Sequence, residues 1–183
     1  MAVQYVGLPS AQRSDFVAVV FNSLGQSEGE DEGELISSLT EQLLTRTPKE
    51  DLHAFCAVDS GTLIAAVIFS RIRFGNDPRI VHLLSPMAVA PDRQRQGVGS
   101  ALIRFGLETL QSFGTDIALT YGDPAYYGRF GFLQTTPQIA PPPQGLTLSF
   151  PHGWRALSLT QAPVTKLPGP SRCVTALHDQ AYW

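Results

Sequence analysis

Charge is scarce in this chain: Asp, Glu, Lys and Arg make up 16% of its 183 residues, and 13 bases against 16 acids leave a net charge of −3. It lacks the basic face that grips a phosphate backbone, which excludes broad, charge-driven nucleic-acid binding. Long hydrophobic runs are also absent. The longest wholly apolar stretch, "LIAAVIF" at residues 63–69, falls far short of the roughly 20 residues that span a bilayer. "MAVQYVGLPSAQRSDF" shows no basic start followed by an apolar stretch. No signal peptide and no membrane association are therefore expected, and the expected compartment is cytoplasmic. Two cysteines, Cys56 and Cys173, allow one bridge at most. Cys56 lies in a strand-like run and reads as a small apolar packing residue. Four scattered histidines without close Cys/His spacing lead to the expectation of no metal site.

Apolar residues supply 43% of the chain, enough for one domain with a sizeable core. Ser10 is placed to cap a helix over residues 11–24, with Phe16, Val17, Val20 and Phe21 on one stripe. Residues 25–34, "GQSEGEDEGE", read as an acidic glycine-rich loop. A second amphipathic helix follows, with Leu35, Ile36, Leu39, Leu43 and Leu44 apolar, ending before Pro48. Residues 52–74 read as two strands joined at residues 59–61, a hairpin. Residues 80–90 form another strand, in which Pro86 predicts a bulge or an edge near Ser85, because proline donates no backbone hydrogen bond.

Residues 97–113 predict a helix stopped by Gly114, with Val98, Ala101, Leu102, Ile103, Phe105, Leu107 and Leu110 around most of its circumference. "DIALTY", residues 116–121, is the next strand. Strand, helix and strand make a βαβ unit, so residues 82–89 and 116–121 are expected to lie parallel. A short helix near residues 124–130 precedes Gly131 and Phe132, and "PQIAPPPQG" (residues 137–145) is a stiff connection. Residues 146–159 look like a second hairpin, turning at residues 151–153. The tail from Gln161 is Pro-rich and weakly patterned. The whole predicts an α/β fold: a single-domain mixed sheet, mostly antiparallel, with a central parallel βαβ pair and helices on both faces.

Between the third strand region and the long helix lies "MAVAPDRQRQGVGSALI", residues 87–103. A glycine-hinged turn at a helix N-terminus leaves backbone N–H groups unpartnered beside the positive end of the helix dipole. Such a nest suits an anion, phosphate above all. Arg93 and Arg95 add positive charge. Taken alone, Gly-x-Gly before a helix is also plain turn geometry. The loop lacks the leading glycine of a dinucleotide fingerprint and the Gly-Lys-Ser/Thr of a P-loop.

Gln94, Gly97 and Gly99 stand in a [Q/R]-x-x-G-x-[G/A] pattern, preceded by Met87-Ala88-Val89-Ala90-Pro91. This resembles the pyrophosphate loop of the GNAT superfamily of acyl-CoA N-acyltransferases, with its strand ending (L)-A-V-x-P. Downstream, "YGRFGF" supplies Tyr127, Gly131 and Phe132 at the superfamily's Tyr-x-x-x-Gly-Phe spacing. The longer "GDPAYYGRFGF", residues 122–132, is similar to the YhbS-like branch of bacterial N-acetyltransferases.

The resemblance covers residues 1–160 in order of elements, which implies a GNAT-like acetyltransferase domain over 1–160 and a tail, 161–183, packed on it. It implies acetyl-CoA as co-substrate. The backbone amides of Arg95, Gln96, Gly97, Val98, Gly99 and Ser100, in the loop opened by Gln94, would bind the CoA pyrophosphate. The edge of Met87, Ala88 and Val89 would pair with the pantetheine arm like an added strand. Tyr127 would assist the leaving thiolate; its alternative role is packing. Arg93 and Arg104 are either solvated surface or partners of the CoA 3′-phosphate. Many relatives carry a glutamate just before the (L)-A-V run and an asparagine seven residues before the tyrosine. Here Ser85, Pro86 and Thr120 hold those places. His82 is either a substitute base or a structural residue.

The implied acceptor is a small-molecule or peptide amine. The acids between Glu28 and Glu34 either attract it as a cation or form a solvated loop. The implied function is N-acetyl transfer from acetyl-CoA to an amine. The alternatives are a non-catalytic acyl-CoA sensor and a structural domain whose loop binds nothing. An exposed C-terminal hairpin with Tyr182 and Trp183 would suit a homodimer contact.

Overall fold

The structure, a computed structural model, describes residues 2–183. Its chain falls into two compact units: residues up to Phe69 with Pro86–Gly106, and Ser70–Ser85 with Leu107–Trp183.

The first unit opens with β1 (Gln4–Gly7), followed by α1 (Arg13–Ser27), α2 (Glu30–Arg46) and β2 (Leu52–Asp59). β1 pairs antiparallel with β2. Phe16, Val20, Leu39 and Leu43 form the fully buried face of the two helices. Ser10 opens a 3₁₀ turn and caps nothing; α1 begins after Gln12, with no side-chain cap. The expected acidic loop is also corrected. α1 runs through Gly25 to Ser27, and Glu30, Asp31 and Glu32 form the first turn of α2, leaving Glu28 and Gly29 as the connection. Acids are favoured in that turn because they face the positive end of the helix dipole. Gly29, at φ 109°, makes the reversal.

β3 (Thr62–Phe74) returns beside β2 through Ser60 and Gly61, whose φ values of 52° and 86° suit a two-residue hairpin turn. Residues 63–70 of β3 are continuously buried, as the "LIAAVIF" run requires. α3 (Val98–Ser112) lies so close to this strand that a Cβ on Gly106 would meet the Phe69 ring at 2.6 Å. Leu102, Ile103 and Leu110 are fully buried, while Arg104 and Glu108 are exposed, so α3 is amphipathic rather than buried all round.

In the second unit the N-terminal part of β4 (Val81–Val89) pairs parallel with β5 (Ile117–Tyr121), in register from Val81↔Ile117 to Leu84↔Thr120. α4 (Pro124–Gly128) follows. β6 (Leu133–Gln134) and β5 both pair antiparallel with β7 (Trp154–Ser158), and β8 (Ser171–Cys173) pairs antiparallel with the end of β3. The strand order is β1-β2-β3-β4-β5-β7-β6, a mixed sheet in an α/β fold.

Two further expectations are corrected here. Residues 146–150 form no strand, so there is no second hairpin; β7 takes β5 and β6 as partners instead. Side chains take up several of the backbone groups of 146–150. The Gln180 amide accepts from Thr147 N and donates to Thr147 O, and the Tyr121 hydroxyl accepts from Phe150 N at 2.6 Å. Trp183 offers no exposed contact for a dimer. It is 5% exposed, its indole donates to Leu177 O at 2.9 Å, and its ring packs on Tyr121 and Trp154. Both cysteines are free, and Cys56 is fully buried.

Candidate active site

Beyond Leu84, β4 alternates: Pro86 and Ala88 are buried, while Ser85, Met87 and Val89 keep part of their surface. The β4–β5 ladder runs from Val81 to Leu84 and goes no further. Proline at the second position beyond that point is consistent with the end of the ladder, since it has no N–H to give.

The chain then turns at a 3₁₀ segment, Pro91–Arg93. Most polar side chains of the loop fold back as braces. Arg93 Nη2 donates to Asp59 Oδ2 at 2.6 Å, and this hydrogen bond is the main cause holding the Asp59 carboxyl below its ordinary range. Gln94 Nε2 donates to the Val89 carbonyl at 3.2 Å and to Ser23 Oγ at 3.4 Å; Gln96 Nε2 donates to the Asp92 carbonyl at 2.9 Å. Arg93 is thus an ion-paired strut rather than loose solvated surface, and Gln94 ties the loop to α1.

What the loop turns outward is main chain. Arg95 and Gly97 have φ of 58° and 83° with Gln96 between them, and all three are exposed. Left-handed residues in such alternation aim successive N–H groups into one concavity. A left-handed arginine costs about 1–2 kcal/mol, the kind of strain that collects at functional positions. The first hydrogen bond of α3 is Ala101 N to Gly97 O at 3.0 Å, so the amides of Val98, Gly99 and Ser100 precede the helical ladder. No Cβ contact arises at Gly97, so its requirement is conformational rather than steric. Amide donors ahead of the helical ladder, beside a helix N-terminus, are the donor set that a phosphate group needs.

In the second unit, "GDP" reads as a helix start and is one. Asp123 Oδ1 accepts from Ala125 N at 2.8 Å, with Pro124 in the first turn. α4 carries Tyr127, whose ring lies edge-on to Phe132 at 5.9 Å and against Gly122, where a Cβ would sit 2.8 Å from Tyr127 Cε2. Thr120 is fully buried; its hydroxyl donates to the Leu84 carbonyl at 3.3 Å and lies beside the Tyr127 phenol. Burial pushes the phenol up to about 12, opposed by the Thr120 hydroxyl beside it. Tyr126 packs edge-on to Tyr127 at 5.2 Å and takes Arg129 over its ring at 4.5 Å.

Thr120, at the place where the family pattern has asparagine, lies beside the phenol. A hydroxyl seven residues before the tyrosine was the available signal. His82 is 3% exposed, with Nδ1 3.0 Å from the Oγ1 of Thr115, two residues before β5, a structural placement three residues upstream of Ser85. Among the described residues no group of three or more His, Cys, Asp or Glu is arranged to hold a metal ion.

The profile of the Acetyltransferase (GNAT) family matches residues 20–132. Uncharacterized N-acetyltransferase YjhQ of Escherichia coli (strain K12) is 32% identical over 163 residues, 87% of this chain and 86% of that protein. Uncharacterized N-acetyltransferase YhbS of the same strain is 40% identical over 75 residues, 40% of this chain and 44% of its own. Among solved structures, the E. coli YhbS complex with CoA superposes with a TM-score of 0.75 at 22% identity, covering 95% of this chain and 91% of that one. A GNAT family acetyltransferase from Brucella melitensis in complex with acetyl-CoA superposes at 0.70 and 21% identity, covering 96% and 97%. On its sequence and its fold alike, the chain belongs to the GNAT acetyltransferase family.

Proposed function

We propose that this chain transfers an acetyl group from acetyl-CoA to a primary amine by direct attack of the amine on the thioester. The observation that carries the reading is the main-chain nest at Arg95, Gln96, Gly97, Val98, Gly99 and Ser100, in a loop braced by the Gln94 and Gln96 side chains. That the YhbS and Brucella relatives were crystallised with CoA and acetyl-CoA supports the choice of diphosphate.

Acetyl-CoA supplies an activated acyl carbon and a thiolate leaving group. The chain's own contribution is threefold. The nest amides bind the diphosphate and set the register of the arm. The edge of Met87, Ala88 and Val89 offers main-chain groups to that arm, as to an added strand. Tyr127 gives a hydrogen bond to the departing sulfur. A phenol held at about 12 stays protonated at neutral pH. Because an ordinary thiol titrates near 8.5, it shares its proton more readily than it gives it up.

An ordinary alkyl amine, with a pKa near 10.4, is neutral about once in 2,500 molecules at pH 7, a cost of roughly 4.6 kcal/mol. Ser85 and Pro86 stand where a base would be useful, and neither titrates in the needed range. Deprotonation therefore falls to solvent or to the amine's own environment. The same absence favours a second reading, an acyl-CoA-binding module without turnover. We read residues 1–160 as the catalytic domain and 161–183 as its packed tail.

The test is thiol release from acetyl-CoA across a broad panel of primary amines. Turnover that Tyr127→Phe abolishes supports the transferase. Tight CoA binding with no turnover on any amine supports the module, and no CoA binding at all overturns both.

A further inference from the structure

β7 carries the segment "GWRAL", residues 153–157, whose arginine has no part in the acetyl-transfer reading. Arg155 is half-buried, and among the described residues no carboxylate pairs with it. Its Nε and Nη2 instead both donate to one main-chain acceptor, the Phe132 carbonyl, at 3.2 and 2.9 Å. Hydrogen bonds from a charged donor are stronger than neutral ones, and two from one planar fork fix direction as well as distance.

What hangs on that carbonyl is α4. The helix has five residues, and so short a helix does not hold its own geometry in water. Its start is fixed at Asp123, whose Oδ1 accepts from Ala125 N at 2.8 Å and whose carbonyl accepts from Tyr127 N at 3.0 Å. Beyond its end the chain turns tightly, with Phe130 N on Tyr127 O at 3.0 Å and Gly131 N on Gly128 O at 3.1 Å, and passes through Gly131 at φ 90° to Phe132. Phe132 is fully buried, its ring edge-on to that of Tyr127. Arg155 thus grips the exit of the short segment that carries the phenol. The guanidinium also lies beside α4 itself, since Nη2 is 4.0 Å from where a Cβ on Gly128 would stand. Across the β5–β7 ladder Arg155 is opposite Thr120, and partners directly opposite each other project from one face. The arginine and the threonine beside the phenol therefore share a side of the sheet. β7 is an interior strand, between β5 and β6, so the grip comes from a rigid element.

We propose that Arg155 is a positioning residue for acetyl transfer, setting the place of the Tyr127 phenol through the Phe132 carbonyl; this rests on the acetyl-transfer reading. The test compares wild type with Arg155→Met, which keeps a long side chain and removes the donors, and with Arg155→Lys, which keeps one charged donor. Two quantities are read on the full chain: kinetics with the amine found in the panel beside calorimetric CoA affinity, and the Tyr127 resonance in NMR of ring-labelled tyrosine, assigned by its absence from Tyr127→Phe. In Arg155→Met, kcat should fall about tenfold to a hundredfold, as for a catalytic group displaced by a fraction of an ångström to an ångström. CoA affinity should stay within about twofold, Arg155→Lys should recover part of the rate, and the Tyr127 resonance should shift or broaden while those of Tyr5 and Tyr182 stay in place. Arg155→Gln is read in the same way if Arg155→Met disturbs folding. Wild-type kcat in the variant overturns the proposal, as does a loss of CoA affinity in step with the rate, or a Tyr127 resonance that does not move. If wild type turns over no amine, the acetyl-transfer reading fails on its own, and the resonance alone decides whether Arg155 positions Tyr127.

Discussion

The backbone of Gly33 in α2 lies directly against that of Gly25 in α1: a Cβ added at Gly33 would come 2.9 Å from both the Cα and the N of Gly25. The crossing of the two helices depends on that contact. Alanine is the better helix former by about 1 kcal/mol, but here the obstructing atoms are main chain and cannot swing aside. Gly33→Ala should therefore destabilise the protein, by about 1–3 kcal/mol, in urea unfolding followed by circular dichroism.

Tyr127→Phe keeps the ring against Phe132 and Gly122 and removes only the hydroxyl. With the amine found in the panel, kcat should fall about 10²-fold or more, while KM for acetyl-CoA stays within about threefold. A tyrosine that merely packs would leave kcat unchanged.

The phenol's raised value has a defined sign in pH. Tyr127 binds its proton more tightly folded than unfolded, so its contribution to stability is complete below pH 10 and is lost as pH rises toward 12. Between those values the unfolding free energy of wild type should fall more steeply than that of Tyr127→Phe. Since the hydroxyl stays protonated below pH 10, any loss of activity between pH 7 and 9 must have another source.

Gly97 adopts φ 83° with open space where a Cβ would go. Gly97→Ala should thus cost only the left-handed penalty, about 1–2 kcal/mol, and raise KM for acetyl-CoA as the nest opens to relieve it. Gln94→Ala removes the hydrogen bonds to Val89 and Ser23 without touching φ. It should raise the same KM with kcat nearly unchanged, which initial-rate kinetics would resolve.

Trp183→Ala empties a site bounded by Tyr121 and Trp154 and strips the Leu177 carbonyl of its indole donor. A loss of about 3–5 kcal/mol is expected, typical of a buried tryptophan truncated to alanine. Thermal unfolding would show it as a large drop in Tm.

Much of this molecule was legible in local signals. Alternation and apolar runs marked β2 through β5, and Gly114 and Pro48 marked helix ends. Gln94, Gly97 and Gly99, with Tyr127, Gly131 and Phe132, pointed to the family that the relatives then established. These signals act within a few residues of one another, where backbone sterics and hydrophobic periodicity dominate. Tertiary structure decided the rest, because it pairs groups far apart in the chain. Gly25 and Gly33 are indistinguishable from loop glycines until two helices cross at them. Residues 146–150 look like a strand until Gln180 and Tyr121 satisfy their backbone instead. Thr120 becomes meaningful only when α4 brings Tyr127 to it, and Trp183 becomes core only when the tail returns to Tyr121. Sequence by itself determined most of the elements and the motifs that mark the family; the fold decided which distant side chains brace the loop, because burial and hydrogen-bond satisfaction depend on where the rest of the chain has gone.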